Sequence, residues 1–291
     1  MPANSLRVIH DLTEWHQLRQ SLTGTVGLVP TMGFLHEGHL SLVRAARQQT
    51  DIVVVWIFVN PTQFGDPADF AAYPQNMAQD LALLQAEGVD YVLAPTPEAV
   101  YPPGFQTEVQ VRQVSAPLEG AFRPGHFTGV ATVVAKLFNL VWPHKAYFGQ
   151  KDAQQVVVLR QMVKDLNYPL EMVVCPTMRE ADGLAMSSRN VRLSSVERTA
   201  APVLYQALQL AQQQLTAGQR QAASIKTQMR ALIEAELQTA QTLGVTGKVE
   251  YVSLAHPQTL EELETVEGSA LISLAVHLGQ VRLIDNLLIE A

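Results

Sequence analysis

A single cysteine, Cys175, in 291 residues makes an intrachain disulfide impossible. It lies in Met172-Val173-Val174-Cys175-Pro176, which reads as a buried strand, so the thiol is expected to be inert core. No run of lysines and arginines resembles a nucleic-acid footprint, and a formal net charge of -7 disfavours RNA or DNA as the main partner. The longest apolar run, Ile52 to Val59, is too short to span a bilayer. The first residues lack the apolar segment of a secretory signal. Together these absences predict a soluble, cytoplasmic protein with no membrane or nucleic-acid partner. Neither G-x-G-x-x-G after a strand nor G-x-x-x-x-G-K-[ST] occurs, which removes the best sequence support for dinucleotide binding and P-loop chemistry.

What is present is an alternation of strand and helix patterns. Val26–Val29, Asp51–Val59, Val89–Leu93, Ala146–Phe148 and Glu171–Cys175 read as strands. Helical patterns cover His39–Gln49, Asn76–Glu87, His126–Val141 and Asp152–Leu166. Glu108–Val114 alternates and is expected to be an edge or insertion strand. Alternation of this kind predicts right-handed βαβ units and a Rossmann-like parallel sheet over residues 1–182. Beyond Gly183, two long helical stretches (Ser195–Thr216 and Ala222–Thr242) precede Val249–Leu254, Ala270–Val276 and Val281–Leu288. Residues 183–291 therefore read as a smaller α+β domain.

The most informative stretch is Val26 to His39. An apolar strand runs into a turn, and His36 and His39, three residues apart, open a helix. Residues at i and i+3 share a helix face, and a helix N-terminus presents unpaired N–H donors that suit phosphate. The segment thus reads as a place to hold a triphosphate. A zincin-like metal site is the weaker reading, because that motif spaces its histidines four apart and no third ligand stands nearby. A further alternative is that the histidines merely cap the helix.

Other segments add to this. Phe58-Val59-Asn60-Pro61-Thr62-Gln63 ends a strand on a turn whose glutamine can bind a small polar substrate, or be only a turn. Phe148-Gly149-Gln150-Lys151-Asp152 is a strand end leading into a helix, with Lys151 near phosphate and Asp152 a possible cap. Asp182 through Asn190 carries Ser187, Ser188 and Arg189, which can close over phosphates or simply form a capped loop. Leu118 to Phe127 is an ordered loop bearing Glu119, Arg123 and His126. Jointly these donors fit a triphosphate, while no base–nucleophile pair suggests hydrolysis. That combination points to nucleotidyl transfer by positioning and charge stabilisation.

Val29-Pro30-Thr31-Met32-Gly33, Leu35-His36-Glu37-Gly38-His39, Phe58-Val59-Asn60-Pro61 with Gln63-Phe64, Arg123 to Phe127, Lys136-Leu137-Phe138-Asn139, Phe148 to Asp152, Asp182 to Asn190 and Arg282 to Asn286 resemble the pantoate–β-alanine ligase family. The resemblance implies a nucleotidylyltransferase fold and an ATP- and Mg²⁺-dependent condensation of pantoate with β-alanine through an acyl adenylate. It implies ATP contacts from Met32, Gly33, Phe34, Leu35, His36, Glu37, Gly38 and His39. Further ATP contacts are implied from Gly149, Gln150, Lys151, Asp152, Met178, Met186, Ser187, Ser188 and Arg189. Of these, His39, His36, Lys151 and Arg189 are the implied catalytic groups. Gln63, Gln155, Asn60, Val133 and Val134 are implied to bind pantoate or β-alanine. Asp80 is the implied Mg²⁺ partner, and a homodimer the implied assembly.

Overall fold

The computed structural model describes residues 6–65 and 67–289. Its chain divides into two compact units, Met1–Gln150 with Val158–Pro176, and Lys151–Val157 with Thr177–Ala291. Element order begins β1 (Arg7–Ile9), α1 (Leu12–Ser21), β2 (Val26–Thr31), α2 (Glu37–Gln49), β3 (Ile52–Ile57), α3 (Pro67–Ala71) and α4 (Met77–Ala86). It continues with β4 (Tyr91–Leu93), α5 (Pro97–Val100), α6 (Glu119–Phe122), α7 (His126–Val141), β5 (Lys145–Gly149), α8 (Ala153–Asp165) and β6 (Glu171–Cys175).

In the first unit six strands form one sheet in the order β1-β4-β3-β2-β5-β6, and every pairing is parallel. Strands β2 and β3 run in register from Val26 opposite Ile52 to Thr31 opposite Ile57. Their β-branched residues are buried on both faces, as a central parallel strand requires. Val29, Val43, Ala46, Val53, Val55, Leu84 and Val92 pack one side of the sheet, with Cys175 at its margin. Burial pushes the Cys175 thiol up from its ordinary range, in keeping with an inert core residue. Strand order reverses between β2 and β5, which is the topological switch point of such a sheet. Ligands of doubly wound folds lie outside the strand carboxyl ends there, where β2 delivers Met32 and β5 delivers Gln150.

The second unit contains α9 (Ser195–Ala200), α10 (Val203–Thr216), α11 (Ala222–Thr242), β7 (Gly247–Ala255), β8 (Ala270–Leu278) and β9 (Val281–Ile289). The three strands form an antiparallel sheet in sequential order. Leu204, Leu208, Ile225, Met229, Ile233, Ile272 and Leu274 make its core.

Three expectations are corrected. Glu108–Val114 is not a strand: its alternating pattern finds no partner strand among the described residues, and the Val109 N–H is taken by the Thr132 hydroxyl of α7 at 2.9 Å. The stretch Ser195–Thr216 is two helices, because Pro202 has no N–H to give to the preceding turn. Helix α2 starts at Glu37, with His36 outside it as the N-cap, rather than at His39.

Candidate active site

The turn after β2 is built from its own side chains. His36 Nδ1 accepts the Gly38 N–H at 3.1 Å, and His39 Nδ1 accepts the His36 N–H at 3.3 Å, a reciprocal capping box made of imidazoles. The rings lie 4.1 Å apart between centroids. A nitrogen that accepts an amide proton carries none of its own, so neutral His36 and His39 both hold their proton on Nε2. The helix is capped and the same geometry gives two Nε2–H donors, so capping and ligand binding are compatible jobs.

The expectation of unpaired backbone donors here is narrowed, because most amides of the turn have partners. The Gly33 N–H goes to Thr31 Oγ1 at 3.2 Å, and the His39 N–H goes to the His36 carbonyl at 2.8 Å. Those of Phe34 and Leu35 go to Asp80 at 2.8 and 2.7 Å. Most of the turn's amides are thus engaged within the protein, which leaves a larger share of donation to the side chains.

Asp80 lies in the first turn of α4 and is only 2% exposed. Burial pushes its carboxyl up from the ordinary range, while the Leu35 and Phe34 amides pull it back. Phe34 holds φ at 52°, a left-handed conformation costing roughly 1–2 kcal/mol for a residue with a Cβ. Two charge-assisted hydrogen bonds, each about 1.5–3 kcal/mol, outweigh that. Mg²⁺ is usually held by one or two carboxylates together with waters and substrate phosphates. Both Asp80 oxygens already accept amides, and no group of three or more His, Cys, Asp or Glu side chains is placed to hold a metal among the described residues. Asp80 is engaged by the turn's amides, and no step is routed through a metal there.

Beside the turn, Gln63 Nε2 meets Met32 Sδ at 3.0 Å, so the strand-end glutamine and the turn are neighbours. The 3₁₀ turn Pro61–Gln63 is fixed by Asn60, buried to 1% exposure. Asn60 Nδ2 donates to Gln63 Oε1 at 3.1 Å and to the Gly129 carbonyl at 3.3 Å. Its Oδ1 accepts from the Tyr101 hydroxyl at 2.8 Å. His126 Nδ1 donates to the Gln63 carbonyl at 2.7 Å, and Arg123 Nη1 donates to His126 Nε2 at 3.2 Å. Val133 and Val134, on α7, are buried. Tyr101 carries no sequence signal for this network: it lies 41 residues from Asn60 and belongs to no motif.

In the second unit, Arg179 and Ala185 pair as an antiparallel bridge, and the Met186 N–H donates to the Met178 carbonyl at 2.9 Å. Met178 and Met186 are thus brought together by one hairpin. Ser187 caps the 3₁₀ helix Ser188–Arg192 by accepting the Arg189 N–H at 3.2 Å. The hairpin is anchored by Arg179, whose guanidinium forks onto Asp285 at 2.6 and 2.9 Å and stacks 3.9 Å over Tyr205. Asn286, next along β9, donates to the Lys151 carbonyl at 2.8 Å. Lys151 Nζ lies 3.9 Å from Asp152 Oδ1. Asp152 ends a 3₁₀ turn, Gln150–Asp152, that runs into α8. Arg179, Tyr205 and the Asn286–Lys151 contact are not readable from sequence, because their partners are remote along the chain.

A parallel sheet with a donor-bearing turn at its switch point, and an adjoining polar wall of Asn60 and Gln63, defines a nucleotidylyltransferase-type α/β enzyme. The family model for pantoate–β-alanine ligase matches residues 4–288. A pantothenate synthetase of Roseiflexus castenholzii is 55% identical, covering 98% of this chain and 100% of that one. One from Chloroflexus aurantiacus is 53% identical over 98% of this chain and 99% of its own length. The crystal structure of pantothenate synthetase from Thermus thermophilus aligns with a TM-score of 0.88 at 46% identity, covering 97% of this chain and 98% of that one. The Francisella tularensis ligase, complexed with β-γ ATP and β-alanine, aligns with a TM-score of 0.78 at 34% identity and 97% coverage of both chains. This chain belongs to the pantoate–β-alanine ligase family.

Proposed function

We propose that the enzyme condenses (R)-pantoate with β-alanine in two steps on ATP. A pantoate carboxylate oxygen attacks the α-phosphorus, the bond to the β-phosphate oxygen breaks, and pyrophosphate leaves with pantoyl adenylate formed. The β-alanine amine then attacks the acyl carbon and loses a proton, and AMP departs with the bridging oxygen. No covalent enzyme intermediate is required.

His39, with His36, donates Nε2–H bonds to the phosphates and to the charge that develops on them. Lys151 and Arg189 neutralise the transferring and leaving phosphates. Met32 to Glu37, Gly38, Gly149, Gln150, Asp152, Met178, Met186, Ser187 and Ser188 complete ATP recognition. Gln63 and Gln155 hydrogen-bond pantoate, and Val133 and Val134 take its methyl groups. Asn60 acts on it only by holding the Gln63 amide in place, because its own amide is spent on Gln63, Gly129, Thr62 and Tyr101. Mg²⁺ enters only as the counter-ion of the triphosphate. Residues 1–182 are assigned to ATP and pantoate and 183–291 to a lid, in a cytoplasmic homodimer.

The observation that carries this reading is the imidazole capping box at the carboxyl end of β2, with Gln63 against Met32. ATP–pyrophosphate exchange tests it. Exchange that depends on pantoate is expected. Exchange that ignores pantoate but answers to an amino acid, or no exchange at all, overturns it.

A further inference from the structure

We propose that Asp80 is the positioning residue of the histidine pair: through the Phe34 and Leu35 amides its buried carboxylate sets where His36 and His39 present their Nε2–H groups. This role rests on the pair's reading as the ATP-binding turn.

Four observations converge on it. Each carboxylate oxygen takes one amide, Oδ2 from Phe34 at 2.8 Å and Oδ1 from Leu35 at 2.7 Å, across 46 and 45 residues of sequence. The amides belong to the two residues immediately before His36, so no slack separates clamp from histidine. Gly33 and Phe34 both hold positive φ, 83° and 52°, a path that a chain with a Cβ at Phe34 does not favour by itself. A Cβ on Gly33 would lie 3.1 Å from Asp80 Oδ2, so the carboxylate also packs against the turn's glycine.

The clamp is itself rigid. Asn76 caps α4 by accepting the Gln79 N–H at 3.2 Å, and the Asp80 N–H bonds the Asn76 carbonyl at 3.0 Å. Burial also keeps this negative charge away from an approaching phosphate. A carboxylate serving an anion site is thereby spent entirely on backbone geometry.

Asp80→Asn tests the role, because the isosteric amide keeps one acceptor and turns its NH₂ against the other N–H. Amide hydrogen exchange at Phe34 or Leu35 should then speed up by at least about tenfold. Pantoate-dependent ATP–pyrophosphate exchange should lose about tenfold or more in kcat. The Mg²⁺ concentration for half-maximal rate should not move. Because it acts through His36 as well as His39, Asp80→Asn should cost clearly less in a His39→Ala background than in the parent.

A full additional loss in that background, or a raised Mg²⁺ requirement, overturns the proposal. So do unprotected Phe34 and Leu35 amides in the ligand-free parent enzyme, a measurement that needs no variant to fold. His39→Ala with undiminished exchange would instead remove the ATP-binding reading, and amide protection in the parent distinguishes that failure from failure of the clamp.

Discussion

Gly129→Ala sets two physical effects against each other. Gly129 sits in the first turns of α7, where helix propensity alone predicts that alanine stabilises by about 1 kcal/mol. The added Cβ, however, would lie 2.3 Å from the Thr62 carbonyl oxygen, 2.6 Å from its carbon and 2.9 Å from the Gln63 nitrogen. Each distance is far short of van der Waals contact, and all three obstacles are backbone atoms of the turn that carries Gln63. Overpacking of this kind costs about 1–3 kcal/mol. Separating α7 from the turn also strains the Asn60–Gly129 hydrogen bond, which serves a buried amide and contributes about 1 kcal/mol. The steric terms win, for a net loss of roughly 1–3 kcal/mol in chemical denaturation. Because Gln63 must move, KM for pantoate should rise as well. A variant at least as stable as the parent, with unchanged pantoate KM, would refute this reasoning.

Three further outcomes follow from particular contacts. Arg179→Met strands Asp285 as a buried carboxylate that burial already pushes upward, and should cost about 3–5 kcal/mol. Adding Asp285→Asn should recover part of it, and strict additivity would argue against the pair. The Asp51 carboxyl is held below its ordinary range by hydrogen bonds from Thr25. A depressed folded pKa gives stability that is present above the unfolded value, about pH 4, and lost as pH falls through the folded one. Asp51→Asn should therefore flatten the acid limb of stability against pH, and an identical limb would contradict it. Nitrogen NMR of the neutral enzyme should find His36 and His39 protonated on Nε2; Nδ1–H signals would be incompatible with the capping box.

Legibility followed sequence distance. Helices α7 and α11 and strand β6 match their expected ends residue for residue, because apolar spacing and local breakers decide them. Strand β1 and helix α1 leave little trace in the sequence: the strand has three residues, and α1 buries only Trp15. Pro202 carries a helix-break signal that the long apolar periodicity conceals. The motifs pick out the histidines, Gln63 and Lys151, each just beyond a strand end. Their supports are not readable, since Asp80, Tyr101 and Asn286 reach their partners across 46, 41 and 135 residues. Nor does composition reveal that an N-terminal helix turn has already used most of its amides.

The central claim is attack of a pantoate carboxylate oxygen on the α-phosphorus of ATP. Pantoate labelled with ¹⁸O in its carboxylate, turned over with β-alanine and ATP, should leave one labelled oxygen in AMP and none in pyrophosphate. Label appearing in inorganic phosphate, or AMP free of label, would contradict the adenylate route.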